Sequence, residues 1–190
     1  MDKIPQKTSF AQWLAPISDN LLDELVKHYQ LDYYTKKLYM ASFMKLLLFA
    51  QLHETESLRA LSDCVFSEEL QQATQLDSIS FSQLGRRLSQ IPNTVFQAIF
   101  LDLVAQIHRK TDFQKRRNIT TPLKIIDSST LPLNLTNHQW AEFRTTKSGV
   151  KLHLRLVFME KGYSYPDQAV LSNAIEHDRN HLEIFIDDKE

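Results

Sequence analysis

Leu123-Lys124-Ile125-Ile126-Asp127-Ser128-Ser129-Thr130 is the run on which the reading of this chain turns. Apolar residues, two of them β-branched, stop at a carboxylate that is followed by three hydroxyl side chains. Pro122 and Pro132 bracket the run, which predicts a strand of about five residues ending at Asp127. A carboxylate at the end of a buried strand costs desolvation free energy unless it is paired, hydrogen-bonded or bound to a metal. Two readings follow. Asp127 is either a ligand or the cap of its own turn, a common habit of Asp and Ser.

Downstream of this run the hydrophobic period is two. Val150, Leu152, Leu154, Leu156 and Phe158 alternate with Lys151, His153, Arg155 and Val157, predicting a strand with the leucine face buried and the other face polar. Ser148-Gly149 marks the turn before it, and Glu160-Lys161-Gly162 turns the chain back into a third strand over residues 163–171. Pro166 assigns that strand to an edge. Residues 175–186 then read as a helix capped by Asp178, with Leu182, Phe185 and Ile186 facing inward. Three antiparallel strands and one helix make half a domain.

Upstream the period is 3.6. Leu21, Leu22, Leu25, Val26 and Tyr29 form one apolar stripe, with Ser18 or Asp19 as N-cap. Residues 35–53 read as a helix that is apolar nearly all round and so belongs in the middle of a bundle. Thr55-Glu56-Ser57 breaks it and caps the next helix, which carries Leu58, Leu61 and Val65. Ser80 and Gln83 form a capping-box pattern for a short helix through Leu84 and Leu88, with Arg86 and Arg87 opposite. That helix reads either as a DNA-reading element or as a surface helix with two solvated arginines. Val95, Phe96, Ile99, Phe100, Leu103, Val104 and Ile107 make the last helix, and Phe10 and Trp13 could anchor an arm before the first. The expected organisation is an all-α domain over residues 1–110, a basic linker over 111–121 and the strand-rich remainder over 122–190.

The 190 residues suffice for a real core, and 43% apolar with 24% charged content is ordinary for a globular protein. Cys64 stands alone, which excludes an internal disulfide and predicts a reducing, cytoplasmic setting. No signal peptide is visible, and the apolar run 46–50 is too short to span a bilayer. The net charge of −1 is unevenly spread: residues 109–155 carry +7 and the remainder −8. That basic middle is weak support for a polyanionic partner, because most charge runs are solvated faces.

Two blocks then carry a resemblance. Ile125-Ile126-Asp127-Ser128-Ser129-Thr130 is followed by Trp140-Ala141-Glu142-Phe143-Arg144, Lys147 and Gly149-Val150-Lys151-Leu152-His153. Together they resemble the insertion-sequence DDE transposases of the branch with a Tyr-Arg-Glu-Lys signature. The helical run 43–52 with Glu56-Ser57-Leu58-Arg59-Ala60-Leu61 looks like the N-terminal domain of that group. The resemblance implies an α+β chain whose second half opens a ribonuclease-H-like domain, and a cut-and-paste DNA transposition chemistry. In that fold carboxylates from adjacent strand ends hold two Mg²⁺ or Mn²⁺ ions, oxygen ligands suiting such hard cations. Asp127 matches the first catalytic, metal-binding carboxylate. The second Asp and the Glu have no counterpart, so the chain reads as the incomplete N-terminal part of such an enzyme.

The same resemblance implies DNA as partner, specifically insertion-sequence terminal repeats, and allows a homo-oligomer. Arg86, Arg87, Lys147, Lys151 and Arg155 are the candidate DNA contacts, with His153 beside them on the same strand face. Two further readings stand beside it. One is a DNA-binding remnant without enzymatic activity. The other is a small zinc hydrolase built on His177 and His181, four residues apart with Asp178 between. Asp187, Asp188 and Glu190 read as a solvated acidic tail rather than as substitute ligands.

Overall fold

A computed structural model describes residues 10–115, 123–136, 138–144, 147–158 and 164–186. The expectation for Asp187, Asp188 and Glu190 lies outside these residues. The chain divides into two compact units, one through Leu103 and one from Val104. The class is α+β.

The first unit is helical: α1 (Phe10–Leu14), α2 (Asp19–Tyr29), α3 (Met40–Leu52), α4 (Leu58–Cys64), α5 (Glu68–Thr74), α6 (Phe81–Gln90) and the start of α7 (Asn93–Lys115). Ser18 caps α2 by accepting from the Leu21 N–H, Ser57 caps α4, and Ser80 with Gln83 closes a capping box on α6. As its all-round apolarity predicts, α3 supplies the centre of the core through Met40, Phe43 and Leu46, each 0% exposed. Phe10 anchors α1 edge-on against Phe49, the ring centres 5.7 Å apart, whereas Trp13 is exposed.

Two boundaries differ from the sequence reading. α3 begins at Met40 rather than near residue 35, because the Asp32 carboxylate accepts the Met40 N–H at 2.8 Å and holds residues 30–39 as a loop. At the other end α7 continues to Lys115, so the part of the expected linker before residue 116 is helical.

The second unit holds a four-stranded antiparallel sheet: β1 (Leu123–Leu133), β2 (Glu142–Arg144), β3 (Lys147–Phe158) and β4 (Ser164–Asn173). β3 is central, with β1 on one side and β4 on the other, and the short β2 pairs with its start. β1 is 11 residues long, not five. Ser128 to Leu133 stay in register with His153 to Ser148, so Asp127 lies in mid-strand and Pro132 is accommodated within an edge strand. Pro166 lies opposite Leu156, where the β3–β4 register shifts.

The expected polarity of the β3 faces is reversed. His153, Arg155 and Val157 are the buried side chains, at 2%, 5% and 4% exposure, while Leu152, Leu154 and Leu156 are half-buried. Burial falls on the polar face because the C-terminal segment packs there and supplies partners for it. That segment is not the helix expected over residues 175–186. It is a 3-10 turn (Asp178–His181) followed by one turn of helix, α8 (Leu182–Phe185), and Asp178 does not cap it. Among the described residues no helix is long and apolar enough to cross a membrane.

Candidate functional site

Side-chain alternation along paired strands sorts the site residues. Ser128 lies opposite His153 and Thr130 opposite Lys151, so these four share the face on which Arg155 also lies. Asp127 lies opposite Leu154 on the other face, with Ser129 and Leu152. Asp127 is exposed, and its Oδ1 accepts the Ser128 N–H at 2.8 Å, the turn-like self-bond that its sequence context allowed. Among the described residues no group of three or more His, Cys, Asp or Glu side chains could hold a metal ion. Asp127 belongs to no such group among the described residues, and a single carboxylate does not amount to a two-cation centre.

The opposite face carries a polar cluster. The His153 Nε2 lies 2.9 Å from Ser172 Oγ, and its Nδ1 lies 3.6 Å from Asp178 Oδ1. Lys151 Nζ donates to the Glu176 carbonyl at 2.8 Å and pairs with Asp178 Oδ1 at 3.1 Å. The His181 Nε2 meets Glu176 Oε2 at 2.9 Å, and its ring lies 4.5 Å from that of His153. Burial disfavours a charge on His153, and the neighbouring His181 adds to this, so its pKa is lowered despite Asp178. The Asp178 carboxyl is held below its ordinary value by hydrogen bonds from Lys151 and from the Ser128 hydroxyl. These contacts clasp the C-terminal segment to β1, β3 and β4.

The expected cationic residues part company here. Arg86 is exposed on α6. Arg87 is 7% exposed: it donates to the Leu31 carbonyl at 2.6 Å and pairs with Asp32. Arg155 is likewise buried; its Nε and one terminal nitrogen grip both oxygens of Asp167 at 2.9 and 2.7 Å, and the other donates to the Phe185 carbonyl at 2.7 Å. Both guanidinium groups are thus engaged inside the protein, Arg87 Nε alone of their nitrogens having no partner among the described residues, and neither Arg87 nor Arg155 presents the exposed cation expected of a DNA contact. Lys151 is mostly enclosed by the cluster just described, its side chain 16% exposed. Lys147 opens β3 opposite Arg144.

The zinc reading finds no support in the geometry. His181 is turned to Glu176 and His153, His177 is exposed, and no three-ligand set exists among the described residues. Sequence reasoning missed Glu176, Ser172 and Asp167 as partners. The available signal was weak: a polar residue at every second position of β3 needs either solvent or partners, and pattern alone does not say which.

A mid-strand carboxylate on an antiparallel sheet, in a unit that follows an all-helical one along the sequence, is the class of arrangement in hand. A family described as a domain of unknown function (DUF4372) matches residues 5–76. The chain is also similar to a protein of Geobacillus stearothermophilus described as a probable transposase for insertion sequence element IS5377. They are 22% identical over 103 residues, 54% of this chain and 26% of the relative. The match thus spans about a quarter of that protein's length. No solved structure matches the chain.

Proposed function

We propose that this chain corresponds to part of a DNA transposase of the insertion-sequence type. In this reading the helical unit handles DNA and the sheet contributes Asp127 as the first carboxylate of a metal-dependent, ribonuclease-H-like centre. The observation that carries it is Asp127 itself: an exposed acid in mid-strand on β1, within the motif that resembles that family. β1 pairs with β3 and, among the described residues, its other edge is open, which is where the family's second Asp-bearing strand would lie. The similarity to the Geobacillus protein supports the same reading.

Because Asp127 belongs to no three-ligand group among the described residues, the 190-residue chain is expected to bind DNA without cutting it. Arg86 and the basic residues 109–117 are its candidate phosphate contacts; such contacts position DNA without reading sequence. The test incubates the purified chain with a supercoiled plasmid and Mg²⁺ or Mn²⁺, and measures binding to a short duplex in parallel. Salt-sensitive binding without nicking is the expected result. Nicking abolished by Asp127→Ala would replace this reading with that of a self-sufficient nuclease, and no binding even at low salt would end it.

A further inference from the structure

Between α2 and α3 the chain makes a loop of residues 30–39 whose ends are buried and whose middle is not. Leu31, Leu38 and Met40 are 8%, 6% and 0% exposed, whereas Tyr33, Tyr34 and Tyr39 are 67%, 87% and 49% exposed. Lys36 and Lys37 lie between them and are exposed as well. Three large rings facing solvent within seven residues run against the usual gain from burying aromatic surface. The Tyr33 and Tyr34 rings lie 4.2 Å apart, tilted by 56°.

The loop is held, not loose. Arg87 reaches in from α6, donating to the Leu31 carbonyl and to Thr35 Oγ1 at 3.4 Å while pairing with Asp32. Asp32 in turn accepts the Met40 N–H. Within this clamp Tyr34 sits at φ 58°, in the left-handed region that a bulky side chain rarely adopts. A half-buried ion pair and a strained backbone together fix two tyrosines in the open.

We propose that the loop of residues 30–39 is a binding surface for single-stranded DNA, with unpaired bases stacking on Tyr33 and Tyr34 and phosphates meeting Lys36 and Lys37. Rings stack on any base, and lysines beside them neutralise the backbone; that combination is the general chemistry of single-strand recognition. Tyrosine is suited to it because it exposes a π face at low conformational cost. The inference deepens the DNA-handling reading above and rests on it for the choice of DNA as partner.

Fluorescence anisotropy with a fluorescein-labelled oligothymidylate of roughly 20 nucleotides tests it, alongside a duplex of similar length. The wild-type chain should bind the single strand, and Tyr33→Ala with Tyr34→Ala should weaken that binding about ten-fold or more. Tyr33→Phe with Tyr34→Phe keeps the rings and should retain it. Lys36→Ala with Lys37→Ala should make the logarithmic salt slope shallower by about 1.4, roughly 0.7 per phosphate contact on a single strand. Unchanged affinity in the double alanine variant overturns the proposal. So does binding to the duplex with none to the single strand, a result that leaves the DNA-handling reading standing. Binding to neither overturns both.

Discussion

Arg155 and His153 stand two positions apart on β3 and face the same way, yet burial treats their charges in opposite senses. Arg155 keeps its charge because Asp167 accepts from it twice and the Phe185 carbonyl once. Removing one partner of such a pair strands the other in a low-dielectric setting. Arg155→Ala or Asp167→Ala should therefore each destabilise the sheet unit by about 3–5 kcal/mol. Replacing both by apolar residues of similar volume should cost far less, and urea denaturation of the three variants checks this. His153 instead loses its charge to burial. The groups facing it are Lys151, Asp178, Ser172 and His181, with Glu176 behind His181. Its lowered pKa means that the unfolded chain binds the extra proton first, so stability falls as pH drops from about 6.5 toward the depressed folded value. His153→Gln should flatten that slope in a pH series of denaturation midpoints. Asp178 acts in a separate window: its lowered pKa supplies stability above 3.8 that is lost as pH falls through the folded value.

At the scale of elements, local chemistry carried the helices and tertiary pairing carried the rest. The α6 capping box was legible because both halves lie within four residues, and Ser80 and Gln83 do bond reciprocally. Ser80→Ala should cost about 1 kcal/mol, read as a shift in the thermal midpoint of the helical unit. β3 was equally legible as a strand from its strict alternation, but not as to which face is buried. That depended on Asp167 in β4 and on Asp178 and Glu176 beyond it, residues 12 to 27 positions away whose approach no local pattern encodes. The same limit hid Arg87. Its partners Leu31, Asp32 and Thr35 lie more than 50 residues earlier, so α6 read as an amphipathic surface helix with both arginines on the wet side. Asp127 lies in mid-strand rather than at the strand's end, a placement the sequence hid because Ser128 to Thr130 carry no apolar residue to continue the pattern. What extends the strand is pairing with β3.

For the whole molecule, the two units differ in how they are held together, and that difference should govern how the chain opens. The helical unit encloses a continuous apolar cluster running from Phe10 through Phe43, Leu61, Leu84 and Val95 to Ile99. In the sheet unit the described buried apolar residues reduce to Val104, Ala141, Val157, Ala174 and Phe185, and the other buried side chains are polar or charged: Ser148, His153, Arg155 and Asp167. Meanwhile Leu123, Ile125, Ile126, Leu131 and Leu171 remain substantially exposed there. Apolar burial contributes roughly 25 cal/mol per Å², whereas a buried ion pair scarcely improves on an apolar pair of the same shape. The sheet unit is thus the weaker of the two, and local opening follows local stability. Hydrogen exchange followed by mass spectrometry should show amides of β1 and β4 exchanging well before those of α3, with denaturant curves in two steps, the first accompanied by loss of strand signal. One step, with β1 and α3 exchanging at a common rate, would mean that the sheet draws its stability from the helices rather than from its own thin core.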